Sequence, residues 1–178
     1  IKELENVPQY QKKQEEYKLT YGKIISNMGS YYYQKREYEE ALKWHKKALE
    51  FRKLSLPDRV MDSYRTIMSD YFCMKQYEKG YETYREAIKK TKPDALFLVR
   101  AIGCELCLLK EKKEENLEKQ ILEELPVQIE RVVELAVSNR RKNVGVLKDL
   151  QKKLEELEAW TELQELVKEY RIKIEEYL

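Results

Sequence analysis

Glycine and proline are scarce in this chain of 178 residues, at 5 and 4. Both residues punctuate strands and turns, so their scarcity excludes the many-turn pattern of sandwiches and barrels and favours long helices. Histidine occurs once, and cysteine only at Cys73, Cys104 and Cys107. An odd, small set of cysteines excludes a complete disulfide framework and fits a reducing compartment, so a cytoplasmic protein is expected. Charge of one sign is lacking too: 35 Lys and Arg stand against 33 Asp and Glu, a formal charge of +2. This near-balance supplies no general attraction to nucleic acid or to a membrane surface, and neither is expected as a direct partner. No run approaches the roughly 20 apolar residues that span a bilayer. The opening IKELENVPQY has neither the basic nor the apolar region of a secretory signal. It also lacks an initiator Met, from which an excised domain of a larger protein is expected.

Tyr, Leu, Glu and Lys are abundant. The hydrophobic fraction of 42% suffices for a core, and the 38% charged residues leave a well-solvated surface. One all-α domain over residues 1–178 is expected. Pro8 suits the first turn of a helix reaching Gln34, with Ile24, Ile25, Met28, Tyr31 and Tyr32 at helical spacing. A second helix is predicted over 38–54, with Ala41, Leu42, Trp44, Ala48, Leu49 and Phe51 inward. Further helices are predicted over about 58–74, 77–90 and 95–109, and Lys110–Glu115 reads as a turn or a solvated helix end. Pro126 predicts a break near Leu125, with a new helix reaching Val137. Beyond the basic run Arg140-Arg141-Lys142, which reads as a solvated helix start or loop, residues 144–178 carry two apolar seams. Leu147, Leu150, Leu154 and Leu157 form one, and Trp160, Leu163, Val167, Tyr170, Ile174 and Tyr177 the other, out of phase with it. The slip predicts a tight turn near Glu158, the alternative being a stammer in one continuous helix.

The stretch 22–57 recurs after 39 residues: Tyr32 falls over Tyr71, Tyr38 over Tyr77, Ala41 over Gly80, and Ala48 over Ala87. Repetition on this scale marks a solenoid, in which each unit covers its neighbour's apolar face. The residues themselves resemble the tetratricopeptide repeat. One unit supplies Ile25, Met28-Gly29, Tyr32, Tyr38, Ala41, His45 and Ala48. The next supplies Tyr64, Ile67-Met68, Tyr71, Tyr77, Gly80, Tyr84 and Ala87. Met68 departs from the pattern where a small Gly is expected, and His45 where an aromatic is usual. The resemblance implies a right-handed superhelix of about four antiparallel helical hairpins. Clear repeats would occupy 22–57 and 61–93, with degenerate ones over 95–137 and 140–178. Spacing above the common 34 and the basic second helix KKALEFRK are similar to kinesin light chains and to bacterial peptide-sensing regulators, the Rap-type phosphatases and related transcription factors.

In such a stack the first helices line a concave groove, and in the peptide-sensing regulators the repeats are implied to cup a short signalling peptide. Carried over by position, the groove residues would be Lys23, Ser26, Asn27, Ser30, Tyr33 and Gln34, then Asp62, Arg65, Thr66, Ser69 and Phe72. Asn27 and Gln34 can bond a peptide backbone as donor and acceptor, Tyr33 and Phe72 offer apolar area, and Arg65 could meet a carboxylate. An ordinary wet surface with no ligand is the competing reading. The groups that capture a terminal carboxylate in chaperone-tail binders are Lys and Asn, whereas Ser26, Ser30, Asp62 and Thr66 stand here. The implied function is a peptide- or protein-binding regulatory scaffold. The alternative is a structural homodimer through a continuous helix over 144–178. No metal, cofactor or enzymatic activity is expected. Cys104 and Cys107 fall mid-helix among apolar residues, where core thiols belong and a redox pair does not. His45, Trp44 and Trp160 read as packing residues.

Overall fold

The structure, a computed structural model, describes residues 8–111, 114–138 and 140–178, with side chains over 11–111, 114–138 and 143–178. Among the described residues it forms eight α-helices and no strand. The chain divides into two compact units at the Lys75–Gln76 bond.

The first unit holds α1 (Pro8–Gln34), α2 (Tyr38–Ser55), a 3-10 turn (Pro57–Arg59) and α3 (Val60–Cys73). Its middle helix α2 packs against both others. Acidic Glu39 and Glu40 open α2 and basic Arg52 and Lys53 end it, both favourable to the helix dipole. Ala41, His45, Ala48, Leu49 and Arg52 are its buried residues, a stripe at steps of three and four. Small Ala41 and Ala48, at most 1% exposed, let the neighbouring helices come close. On α1 only part of the expected apolar set turns inward. Ile25 is buried, whereas Ile24 and Tyr31 are exposed at 54% and 49%. Helical spacing correctly makes Ile24 and Tyr31 partners on one face, but that face is not the one applied to α2.

The second unit holds α4 (Tyr77–Lys90), α5 (Ala95–Glu111), α6 (Glu115–Val137), α7 (Arg140–Leu157), a 3-10 turn (Thr161–Leu163) and α8 (Gln164–Glu175). α5 is its centre, packed against α4, α6 and α7. All but three of the residues from Ala95 to Leu109 are buried, as a helix enclosed on several sides requires. α8 packs against α6 and α7. Each unit carries one half-buried tryptophan, Trp44 on α2 and Trp160 between α7 and α8.

The 39-residue period is written into the backbone. Among the described residues, Arg36 and Lys75 are the non-glycine residues with positive φ, at 64° and 57°. Each donates its N–H three residues back, Arg36 to Tyr33 at 2.9 Å and Lys75 to Phe72 at 3.0 Å. The helix that follows opens alike in both cases, with Ala41 N–H on Glu37 O and Gly80 N–H on Gln76 O. Two turns of one geometry thus stand one period apart.

One expectation needs correction and one alternative falls. No break occurs near Leu125: α6 runs through Pro126. A proline forfeits one ladder bond, but Ile121, Leu125, Ile129 and Val132, none detectably exposed, fasten the helix on both sides of it. The continuous C-terminal helix, on which the homodimer reading depends, is absent as well. α7 stops at Leu157, Trp160 donates its N–H to Leu157 O, and the chain turns into α8. The first seam is buried throughout and the second at Leu163, Val167, Tyr170 and Ile174, with Trp160 and Tyr177 half-buried, because the slip in phase is absorbed by that turn. Of Lys110–Glu115, Lys110 and Glu111 end α5 and Glu115 begins α6, while Lys112 and Lys113 lie outside the described residues. The run Arg140–Lys142 starts α7, and its side chains lie outside the described set.

Candidate functional site

All eleven groove residues fall in the first unit, on α1 and α3. Both helices pack against α2. At their C-terminal ends Tyr33 Oη meets Cys73 Sγ at 3.1 Å. Ser26, Ser30 and Tyr33 from α1, with Asp62, Arg65, Thr66 and Ser69 from α3, are half-buried. Around them Lys23, Asn27, Gln34 and Phe72 are exposed, Phe72 at 42%. The set thus falls on two helices that both pack against α2, seven of its residues half-buried and four exposed.

Several of the lining groups are already engaged. Ser30, Thr66 and Ser69 each donate a hydroxyl back to a carbonyl of their own helix, at Ser26, Ser63 and Arg65. Tyr33 also stacks edge-on against Tyr38, with ring centroids 5.4 Å apart. Arg65 sits 3.7 Å from Asp62 on its own helix, so the cation expected to meet a ligand carboxylate has a local partner. Asn27, Gln34 and Phe72 are the exposed groups best placed to meet a partner.

The polar centre of this unit is a residue the repeat pattern does not mark. Arg52, on α2, is 8% exposed and donates from Nη1 to Ser63 Oγ and from Nη2 to Ser26 Oγ, both at 2.8 Å. It thereby bridges α1 and α3. Burial pushes its pKa down and nearby Arg59 adds to this, while Asp62 opposes them. In sequence Arg52 is one cation among several in KKALEFRK. Only its helical step from Ala41, Ala48 and Leu49 could have shown that it points inward.

A second buried polar pair couples α2 to α3. His45 Nδ1 lies 2.6 Å from Asp70 Oδ2, with the two side chains 2% and 0% exposed. His45 is thus more than a packing residue. Among the described residues its Nε2 and Asp70 Oδ1 have no hydrogen-bond partner. Burial raises the Asp70 pKa, and the bond to His45 works against that shift. Gly29 of α1 leaves room for the imidazole: a Cβ there would sit closer than 3.0 Å to three ring atoms. The two residues that depart from the neighbouring repeat, Gly29 against Met68 and His45 against Tyr84, are one packing arrangement.

In the second unit the polar residues are braced against each other. Tyr81 Oη donates to Glu124 Oε2 at 3.0 Å, and Arg85 pairs with the same carboxylate. Glu105, 0% exposed, accepts from Gln128 Nε2 at 2.6 Å, and burial raises its pKa to about 8. Cys73, Cys104 and Cys107 are free thiols. Cys104 is buried, with its pKa pushed up to about 12 by desolvation. Among the described residues no group of three or more His, Cys, Asp or Glu side chains is placed to hold a metal ion, and no helix is long and apolar enough to cross a membrane. Compared with known proteins, the chain matches no protein-family model, no curated protein and no solved structure.

Proposed function

We propose that the chain is a helical-repeat scaffold of the tetratricopeptide kind that binds an extended peptide or protein segment over α1 and α3. It would serve as the regulatory part of a larger bacterial protein. The supporting observation is the face itself: half-buried hydroxyl and aromatic side chains rimmed by exposed Asn27, Gln34 and Phe72. Primary amides give and accept hydrogen bonds, as a peptide backbone requires, and an exposed Phe supplies apolar contact. The 39-residue recurrence of the Arg36 and Lys75 turns supports the repeat assignment. Binding that favours one arrangement of the helices over another would shift their population and so carry a signal.

The reading is tested by screening an arrayed library of short peptides against the wild-type chain and against Asn27→Ala, Phe72→Ala and Arg65→Ala. Binders are expected that weaken about tenfold or more when Asn27 or Phe72 is truncated, the loss typical of a central contact. Arg65→Ala is expected to weaken them less, because Arg65 is held by Asp62. A blank array, or binders indifferent to all three changes, would refute it. The homodimer reading rested on an uninterrupted helix over 144–178. With α7 and α8 folded back on their own unit, no observation favours it.

A further inference from the structure

Beside Arg52 the first unit contains a cavity of about 150 Å³. Its walls come from every element of the unit except α3's far end. Leu19, Gly22 and Lys23 belong to α1, Arg52 to α2, Leu56 to the connection, Arg59 to the 3-10 turn and Asp62 to the start of α3. Gly22 lets α1 pack closely on Leu56 at this wall, since a Cβ there would lie 3.2 Å from Leu56 Cδ1. Lys23 and Arg59 are exposed, so the cavity communicates with solvent.

The charges around it do not balance locally. Among the described lining residues, three cations, Lys23, Arg52 and Arg59, face one carboxylate, Asp62. Asp62 is turned to Arg59 at 3.9 Å and to Arg65 at 3.7 Å, and both of these pairs are long. Arg52, the most buried cation of the three, has two serine hydroxyls as its partners and no carboxylate among the described residues. A guanidinium withdrawn from water with no anion in hydrogen-bond contact bears a desolvation penalty that neutral hydroxyls and the more distant Asp62 offset only in part. Its planar fork, held by Ser26 and Ser63, is preorganised for an oxyanion. The volume is below the 300–1,000 Å³ usual for a small-molecule site but ample for one end group.

We propose that this cavity is a carboxylate-binding subsite, in which Arg52, oriented by Ser26 and Ser63, receives an acidic side chain or the terminal carboxylate of a bound segment. That the carboxylate belongs to a peptide rests on the function proposed above. That the site takes a carboxylate rests on the cavity and on Arg52.

The test uses the whole chain and small probes, followed through the Arg52 Nε–H resonance in ¹⁵N-edited spectra. N-acetylglycine stands for a chain terminus, N-acetylaspartate amide for an acidic side chain, inorganic phosphate for a competing anion, and N-acetylglycinamide is the neutral control. At least one carboxylate is expected to shift the Arg52 signal saturably, and whichever of the two binds tighter identifies the source. Arg52→Met is expected to weaken binding about ten- to hundredfold, the range for a charge-assisted hydrogen bond. Arg52→Lys, which keeps the charge but not the fork, should fall between. Should Arg52→Met not fold, the wild-type titration and the Lys variant still decide. No saturable shift with either carboxylate, an equal response to the neutral amide, or phosphate binding tighter than both would overturn the proposal. Carboxylate binding with a blank peptide array would sustain this inference and defeat the scaffold reading. Peptides held through Asn27 and Phe72 with Arg52 silent would do the reverse.

Discussion

Gly29 and His45 illustrate how single residues set the packing of the first unit. The imidazole occupies space that any side chain at 29 would need, and its other edge is held by Asp70 at 2.6 Å. Gly29→Ala should therefore displace the ring and loosen a buried bond, costing about 1–3 kcal/mol as overpacking usually does. In the background of His45→Ala the same substitution should cost less, because the clash has gone. A double-mutant cycle by urea denaturation measures the coupling, and purely additive losses would contradict the shared packing. This scale was the least legible in the sequence. His45 stood out as a departure from the repeat pattern and Gly29 as a match to it, but nothing local joins His45 to Asp70 or Arg52 to Ser26 and Ser63. Those pairings are made by tertiary folding, at separations of 25, 26 and 11 residues.

At the scale of elements the sequence was far more informative, since spacing and turn residues act locally. The α4 boundaries, the turn after Leu157 and the 39-residue register follow from apolar periodicity and from small residues at 41, 48, 80 and 87. The exception is α6, where Pro126 outweighed the periodicity in the reading and the reverse holds in the fold. Ile121, Leu125, Ile129 and Val132 continue one stripe across the proline, and their burial carries the helix through it. Pro126→Ala restores a backbone donor inside a formed helix and should raise stability. The gain should be about 1–2 kcal/mol, since the loss of chain stiffening in the unfolded state takes back part of it. Thermal melting of the variant checks this, and a lower midpoint would mean that the ring itself is needed for packing. The candidate face was likewise legible as a set of positions on two helices. Its graded burial was not, because that depends on how closely α1 and α3 approach over α2.

For the whole molecule, the pH dependence of stability reports the buried acid of α5. Glu105 holds its proton up to about pH 8 in the folded chain, whereas an unfolded Glu releases it near 4.5. Between those values the native state binds more protons than the unfolded one, so this residue makes stability fall as pH rises. Its contribution is complete below about pH 4.5 and lost as pH climbs through about 8. Glu105→Gln should flatten that decline and raise the melting temperature at pH 8–9 relative to wild type, with little difference near pH 5. Parallel melting curves for the two chains across the range would rule out Glu105 as the source. One tryptophan in each compact unit has a practical consequence of another kind. Trp44→Phe leaves a chain whose indole fluorescence comes from the second unit alone, and Trp160→Phe one that glows only from the first. The chain carries a separate optical channel for each half of itself, so the unfolding of either half can be followed without any attached dye.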